Sequence, residues 1–103
     1  MNATKFNEVI EDMIDKCKNI LCQKAEEYAT HDRLHNFKVA AGIQGITNSA
    51  ALAGMMAKHT VSIYDMATSD EVFPLAMWDE KICDHINYLL LLKALVIDEG
   101  ESK

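Results

Sequence analysis

Apolar positions along the chain recur at intervals of three and four, which is the spacing of one face of an α-helix. No segment shows the alternation of a half-buried strand. Phe6, Ile10, Met13, Cys17, Ile20 and Leu21 form the first such stripe and predict a helix over about Thr4–Tyr28. The polar stretch "THDRLH" then reads as a loop. A short second helix is expected over about Asn36–Gln44, with Phe37, Ala40, Ala41 and Ile43 turned inward, and "GIT" ends it. Asn48 or Ser49 is positioned to cap a third helix, over about residues 49–67, with the stripe Leu52, Met56, His59, Ile63 and Met66. Gly54 and the alanines around it predict a close helix approach. "TSDEVFP" carries the single proline, Pro74, and leads to a fourth helix over about Leu75–Asp98. The chain therefore reads as one all-α domain over residues 1–103, built like a four-helix bundle.

The fourth helix is apolar around most of its circumference. Trp78, Ile82, His85, Leu89, Leu92 and Val96 make one seam, and Lys81, Asp84, Tyr88, Leu91 and Leu95 make the next. A helix of that kind must be covered on most sides. Four helices of this size supply little cover, so a second subunit is expected, most simply in a two-fold dimer. The competing reading is a central helix in a monomer.

Three stripes turn polar at one end. Lys24 and Glu27 continue the first, Lys58 and His59 lie along the third, and Lys81, Asp84 and His85 open the fourth. Charges inside a bundle cost several kcal/mol unless paired, hydrated or bound to an ion. Antiparallel packing would bring the end of the first helix to the start of the fourth and gather these groups in one polar pocket. Glu80 and Asp84, four apart, share a helical face and suit a Mg²⁺ ion that also takes phosphate oxygens; as acids early in a helix they equally suit its macrodipole. Lys24, Lys58 and Arg33 can grip phosphates or lie along the surface as ordinary cations. Tyr28 and Trp78 can stack on a base or fill core. His59 and His85 read as core histidines, or with Cys83 as a zinc set. Glu8 and Glu11 read as a solvated face.

Charge and cysteine usage narrow the class. Sixteen acids against ten bases give a formal net charge of −6, which argues against a general duplex-DNA binder. Three cysteines without a CxxC spacing fit reduced thiols and a cytoplasmic setting. The first residues show no signal-peptide pattern, and no apolar run approaches a membrane span.

Several short motifs resemble small phage-encoded proteins related to the all-α, MazG-like nucleoside triphosphate pyrophosphohydrolases. They are Lys24 with Tyr28 at a helix end, Asn36-Phe37 opening the next helix, Met55-Met56-x-Lys58, and Glu80-x-x-x-Asp84-x-x-x-Tyr88. The likeness spans about residues 18–96. It implies a dimer or tetramer in a host bacterial cytosol, with a Mg²⁺ site between helices. Glu27, Glu80 and Asp84 would hold metal and serve catalysis there; Lys24, Lys58, Arg33, Tyr28, Asn36 and Trp78 would hold phosphates and base. The metal would activate water against the α–β phosphate linkage of a nucleotide. The chain departs from the family pattern at three places: Lys81 stands where the second helix pair carries an acid, Glu26 and Glu27 are adjacent, and Ala29 replaces the Gly after the Tyr.

Three functions follow as expectations. One is a Mg²⁺-dependent pyrophosphohydrolase acting on a nucleotide. Another is a binding protein without turnover, sequestering a nucleotide signal or blocking a host defence complex as an anti-CRISPR-type inhibitor through its acidic surface. The last is a helical oligomer whose polar groups only set register.

Overall fold

The computed structural model describes the backbone of residues 1–27 and 32–101, and side chains for 1–23 and 32–100. Four helices make up the fold: α1 (Ala3–Glu27), α2 (His35–Gln44), α3 (Asn48–Thr68) and α4 (Leu75–Glu101). No strand occurs among the described residues.

Local chemistry fixes the helix ends. Asp32 Oδ1 accepts from the Leu34 N–H at 3.0 Å just before α2. Gly45, at φ 68°, takes the left-handed conformation that closes α2 at low steric cost. The α3 cap is Thr47, one residue ahead of the sequence expectation of Asn48 or Ser49. Its hydroxyl accepts from the Ala50 N–H at 3.1 Å, while Asn48 and Ser49 already lie within the helix. Before α4, Phe73 meets Trp78 edge-on with ring centroids 6.3 Å apart. That pair clamps the helix start from either side of Pro74, in the manner of a hydrophobic staple.

The core sits where α2, α3 and α4 meet. Leu34, Phe37, Leu52 and Leu95 form its centre, with Met55, Tyr88, Leu91 and Leu92 around them. Ala51 and Ala41 are also buried. Gly54 does not mediate a close approach: a side chain there would meet nothing, because this face of α3 points to solvent. Ile43 is exposed as well, at the open end of α2 rather than inward.

Among the described residues, α1 packs against α4 alone. Cys17 and Cys83 are both buried at this contact, with the Cys17 thiol 4.0 Å from the Cys83 carbonyl oxygen. Lys16 Nζ reaches Asp79 Oδ2 at 2.8 Å, and this partner raises the lysine's pKa. Higher positions on α1 meet higher positions on α4, since Leu21 faces the same cleft as Asn87. The two helices therefore run parallel. The expectation of antiparallel packing is corrected here: Lys16 meets Asp79, Cys17 meets Cys83 and Leu21 lines the cleft with Asn87, so α1 and α4 point the same way.

Cys83, Asn87 and Leu95 are the buried residues of α4, and of these only Leu95 belongs to an expected seam. The second expected seam reaches the core through Tyr88, Leu91 and Leu95, whereas Leu89 and Val96 of the first are half exposed and Leu92 packs at the core edge.

Lys38 joins the start of α2 to the far end of α4, bonding Asp32 at 2.7 Å and Asp98 at 3.0 Å. The Lys38 ammonium, and then the Leu34 N–H, hold the Asp32 carboxyl below its ordinary range. A depressed carboxyl adds stability that is complete above its unfolded pKa and is lost as pH falls through the lower folded value. NMR titration should accordingly place Asp32 below an ordinary aspartate. Lys38→Met should return it most of the way, and an unchanged Asp32 in that variant would disprove the pairing.

A candidate ligand cleft with one orphaned amide

A cleft of about 540 Å³ opens between the end region of α1, the start of α2, and the facing sides of α3 and α4. Its volume lies in the range of small-molecule and cofactor sites. Phe37, Met55 and Leu91 supply apolar wall. Arg33, His35, Asn36, His59, Asp84, Asn87 and Tyr88 supply the polar groups. His35 and Asn36 stand in the first turn of α2, which carries no acid. Asp32 already caps that turn, its Oδ1 accepting from the Leu34 N–H at 3.0 Å and its carbonyl from the His35 N–H at 3.1 Å.

The His59 ring lies against Tyr88 with centroids 5.0 Å apart, tilted 41°. The pair makes a half-buried aromatic surface on the cleft wall. His85 is occupied elsewhere, its Nε2 hydrogen-bonded to Thr60 Oγ1 at 2.8 Å. With Cys83 buried against α1, the zinc set His59, Cys83 and His85 is not assembled. Among the described residues no three His, Cys, Asp or Glu side chains gather as a metal site.

Asn87 is the one buried polar side chain among the described residues, 6% exposed. Its Nδ2 donates to the Cys83 sulfur at 3.7 Å, a weak bond. Its Oδ1 is buried and has no hydrogen-bond partner among the described residues. A buried carbonyl without a hydrogen bond costs about 1–3 kcal/mol.

Comparison with known proteins finds no matching family model, no matching curated protein and no matching solved structure. The cleft therefore has to be read from its own chemistry.

Of the residues expected from sequence to form the site, the fold brings Asp84, Arg33 and Asn36 to the cleft. Glu80 is exposed one turn before Asp84 and lies outside the lining, as does exposed Lys58. Trp78 is engaged with Phe73 and also lies away from the cleft. The side chains of Lys24 and Glu27, and Tyr28 as a whole, fall outside the described residues. His35, Asn87 and Tyr88 were not singled out as ligand groups from sequence. Asn87 had a readable signal: an amide four residues after Cys83 and two before the run Leu89–Leu92, on a helix that must be covered.

Whether Mg²⁺ suits the cleft follows from its donor set. Asp84 is the one carboxylate among the described lining residues. One carboxylate suits a Mg²⁺ ion that arrives on a nucleotide and keeps phosphate and water ligands. A two-metal cage needs more acids than the described lining contains.

Proposed function

We propose that this protein binds a nucleotide in the cleft, in the manner of the MazG-like proteins its motifs resemble. The observation that carries the reading is a cavity of nucleotide size lined by Arg33, Asp84, Asn87 and the His59–Tyr88 ring pair. The Asn87 amide would turn to bond the polar edge of a base or sugar. The His59–Tyr88 surface would lie against a ring, since aromatic faces accept any planar base. Arg33 would take the phosphates through its guanidinium, a group suited to phosphate oxygens. Asp84 would hold a Mg²⁺ ion shared with those phosphates, and that ion supplies charge neutralisation and an activated water when bound.

Binding comes first in this reading and hydrolysis second, because one described carboxylate anchors an ion more readily than it runs two-metal chemistry. The test is a thermal-shift panel of nucleoside triphosphates with and without Mg²⁺. A true ligand at a hundredfold excess over its Kd should stabilise the fold by about 2.7 kcal/mol. Asp84→Asn should abolish the Mg²⁺-dependent part and leave Mg²⁺-free binding nearly intact. Release of pyrophosphate from the same ligand would extend the reading to the hydrolase. A panel in which no nucleotide shifts the midpoint would remove the reading altogether.

The net charge of −6 supports a second role, as an acidic inhibitor of a basic host defence complex. Glu8, Glu11, Asp12 and Asp15 are all exposed along α1. Inhibition of a purified nucleic-acid-binding effector, relieved by salt and indifferent to Asp84→Asn, would favour that role over nucleotide binding.

A further inference from the structure

Arg33 is the only arginine of the chain, and among the described lining residues of the cleft it is the only Lys or Arg. Its place there depends on its neighbours. Asp32, just before it, folds the chain back on itself. Its Oδ1 accepts from the Leu34 N–H at 3.0 Å, and its main-chain carbonyl accepts from the His35 N–H at 3.1 Å. Its Oδ2 accepts from Lys38 Nζ at 2.7 Å. Leu34, just after Arg33, is buried in the core with Phe37, Leu52 and Leu95. The Arg33 backbone is therefore held from both sides, and its side chain leaves the turn on the cleft side.

Lys38 carries this turn across to α4. The same ammonium bonds Asp98 Oδ2 at 3.0 Å. Helix α4 also supplies Asp84, Asn87 and Tyr88 to the opposite wall of the cleft. Asp98 lies about ten residues beyond Tyr88, roughly 15 Å along the helix, and outside the lining. Partly exposed ion pairs of this kind add little to global stability. Their effect is local: they fix how the chain enters α2, and with it the direction of the guanidinium. Lys38 also neutralises the Asp32 carboxylate, which adjoins the residue that faces the cleft and would otherwise repel an anion there.

We propose that Lys38, bridging Asp32 and Asp98, is a positioning residue that holds Arg33 toward the cleft and so sets the site's preference for phosphate-bearing ligands over their neutral nucleosides. The preference rests on the nucleotide reading; the positioning does not. Without the bridge the turn keeps its Leu34 anchor, but the guanidinium samples other directions. Phosphate affinity then falls with the share of time spent in the productive one.

NMR and binding measurements test the two parts separately. With no second arginine in the chain, the Arg33 Nε–Hε signal needs no assignment. In the ligand-free wild type it should stand away from the position of a free arginine, with a strongly positive heteronuclear NOE. Lys38→Met should return it to that position and lower the NOE. Asp98→Asn should do so in part, and Asp98→Glu should restore the wild-type signal. Helical circular dichroism should stay unchanged in all three, since both side chains are partly exposed. In titrations, Lys38→Met should lower the affinity of the common nucleoside triphosphates by roughly three- to tenfold and leave that of their parent nucleosides unchanged. Added to Arg33→Gln, it should lower triphosphate affinity no further. An Arg33 signal identical in wild type and Lys38→Met would overturn the positioning role, and triphosphate and nucleoside affinities that fall together would overturn the preference. The NMR measurement contains no ligand, so a wild type that binds no nucleotide would strike the nucleotide reading and leave the positioning role to be decided by the Arg33 signal.

Discussion

Leu52→Ala is expected to lower the stability of the fold by about 3 kcal/mol, and the melting midpoint by roughly 10–20 °C. Leu52 is fully buried and stands at the one place where α2, α3 and α4 converge, against Leu34, Phe37 and Leu95. Removing its three outer carbons takes contacts from all three helices at once. The cavity left behind cannot close easily, because helices packed from several directions cannot all move toward it. A domain of this size has a total stability of about 5–15 kcal/mol, so the change is a large fraction of the whole. The same truncation at Val61, which is 57% exposed, should cost a few tenths of a kcal/mol. Urea unfolding of the two variants side by side checks the contrast. A loss below about 1 kcal/mol at Leu52 would mean that this core is not the one that holds the chain together.

The second large effect has two parts with opposite signs. Asn87→Leu should stabilise the ligand-free protein by about 1 kcal/mol and weaken nucleotide binding at least tenfold. The stabilisation comes from removing a buried carbonyl oxygen that no described residue answers and filling its place with carbon. The weak Nδ2 bond to the Cys83 sulfur subtracts little, since sulfur is a poor acceptor. The loss of binding follows if the same amide is what the ligand's polar edge meets. A structural asparagine would behave otherwise: its replacement would cost stability and leave the ligand indifferent. Thermal shift of the wild type and Asn87→Leu, each with and without nucleotide and Mg²⁺, separates the cases in one experiment. Destabilisation by more than about 2 kcal/mol in the absence of ligand would show that Oδ1 is satisfied in solution and carries structure instead.

Much of the helical reading was legible because it rests on local chemistry. The threefold and fourfold spacing of Leu52, Met56, His59, Ile63 and Met66 needs no partner to be recognised, and α3 extends over it with one residue added at each end. Gly45 and Pro74 mark helix boundaries by backbone constraints that hold in any context. The cap of α3 was misplaced by one residue, since Thr, Asn and Ser follow one another and any of the three can accept from a free N–H.

The site was legible only in part. Asp84, Arg33 and Asn36 stood out as charged or polar groups near apolar stripes. Lys58 and Glu80 stood out for the same reason, yet one turn or less of helical rotation separates a residue that enters the cleft from one that faces water. Trp78 carried no sequence mark of its engagement with Phe73 beyond their spacing across Pro74. Asn87 was passed over because an amide carries no charge to make its burial look costly.

The sequence by itself determined that the described chain is built of helices without strands, where those helices begin and end to within about three residues, and that α4 demands cover on more than one side. Those properties follow from periodicity and backbone preference, which act over a few residues. Only the tertiary structure decided that α1 runs parallel to α4, that Cys83 and Asn87 join Leu95 among the buried residues of α4, and that Asn87 lines a cleft. Helix direction and the rotation of each helix about its axis depend on contacts between residues some sixty positions apart, such as Lys16 with Asp79. No local spacing encodes which of several apolar faces such a contact will select.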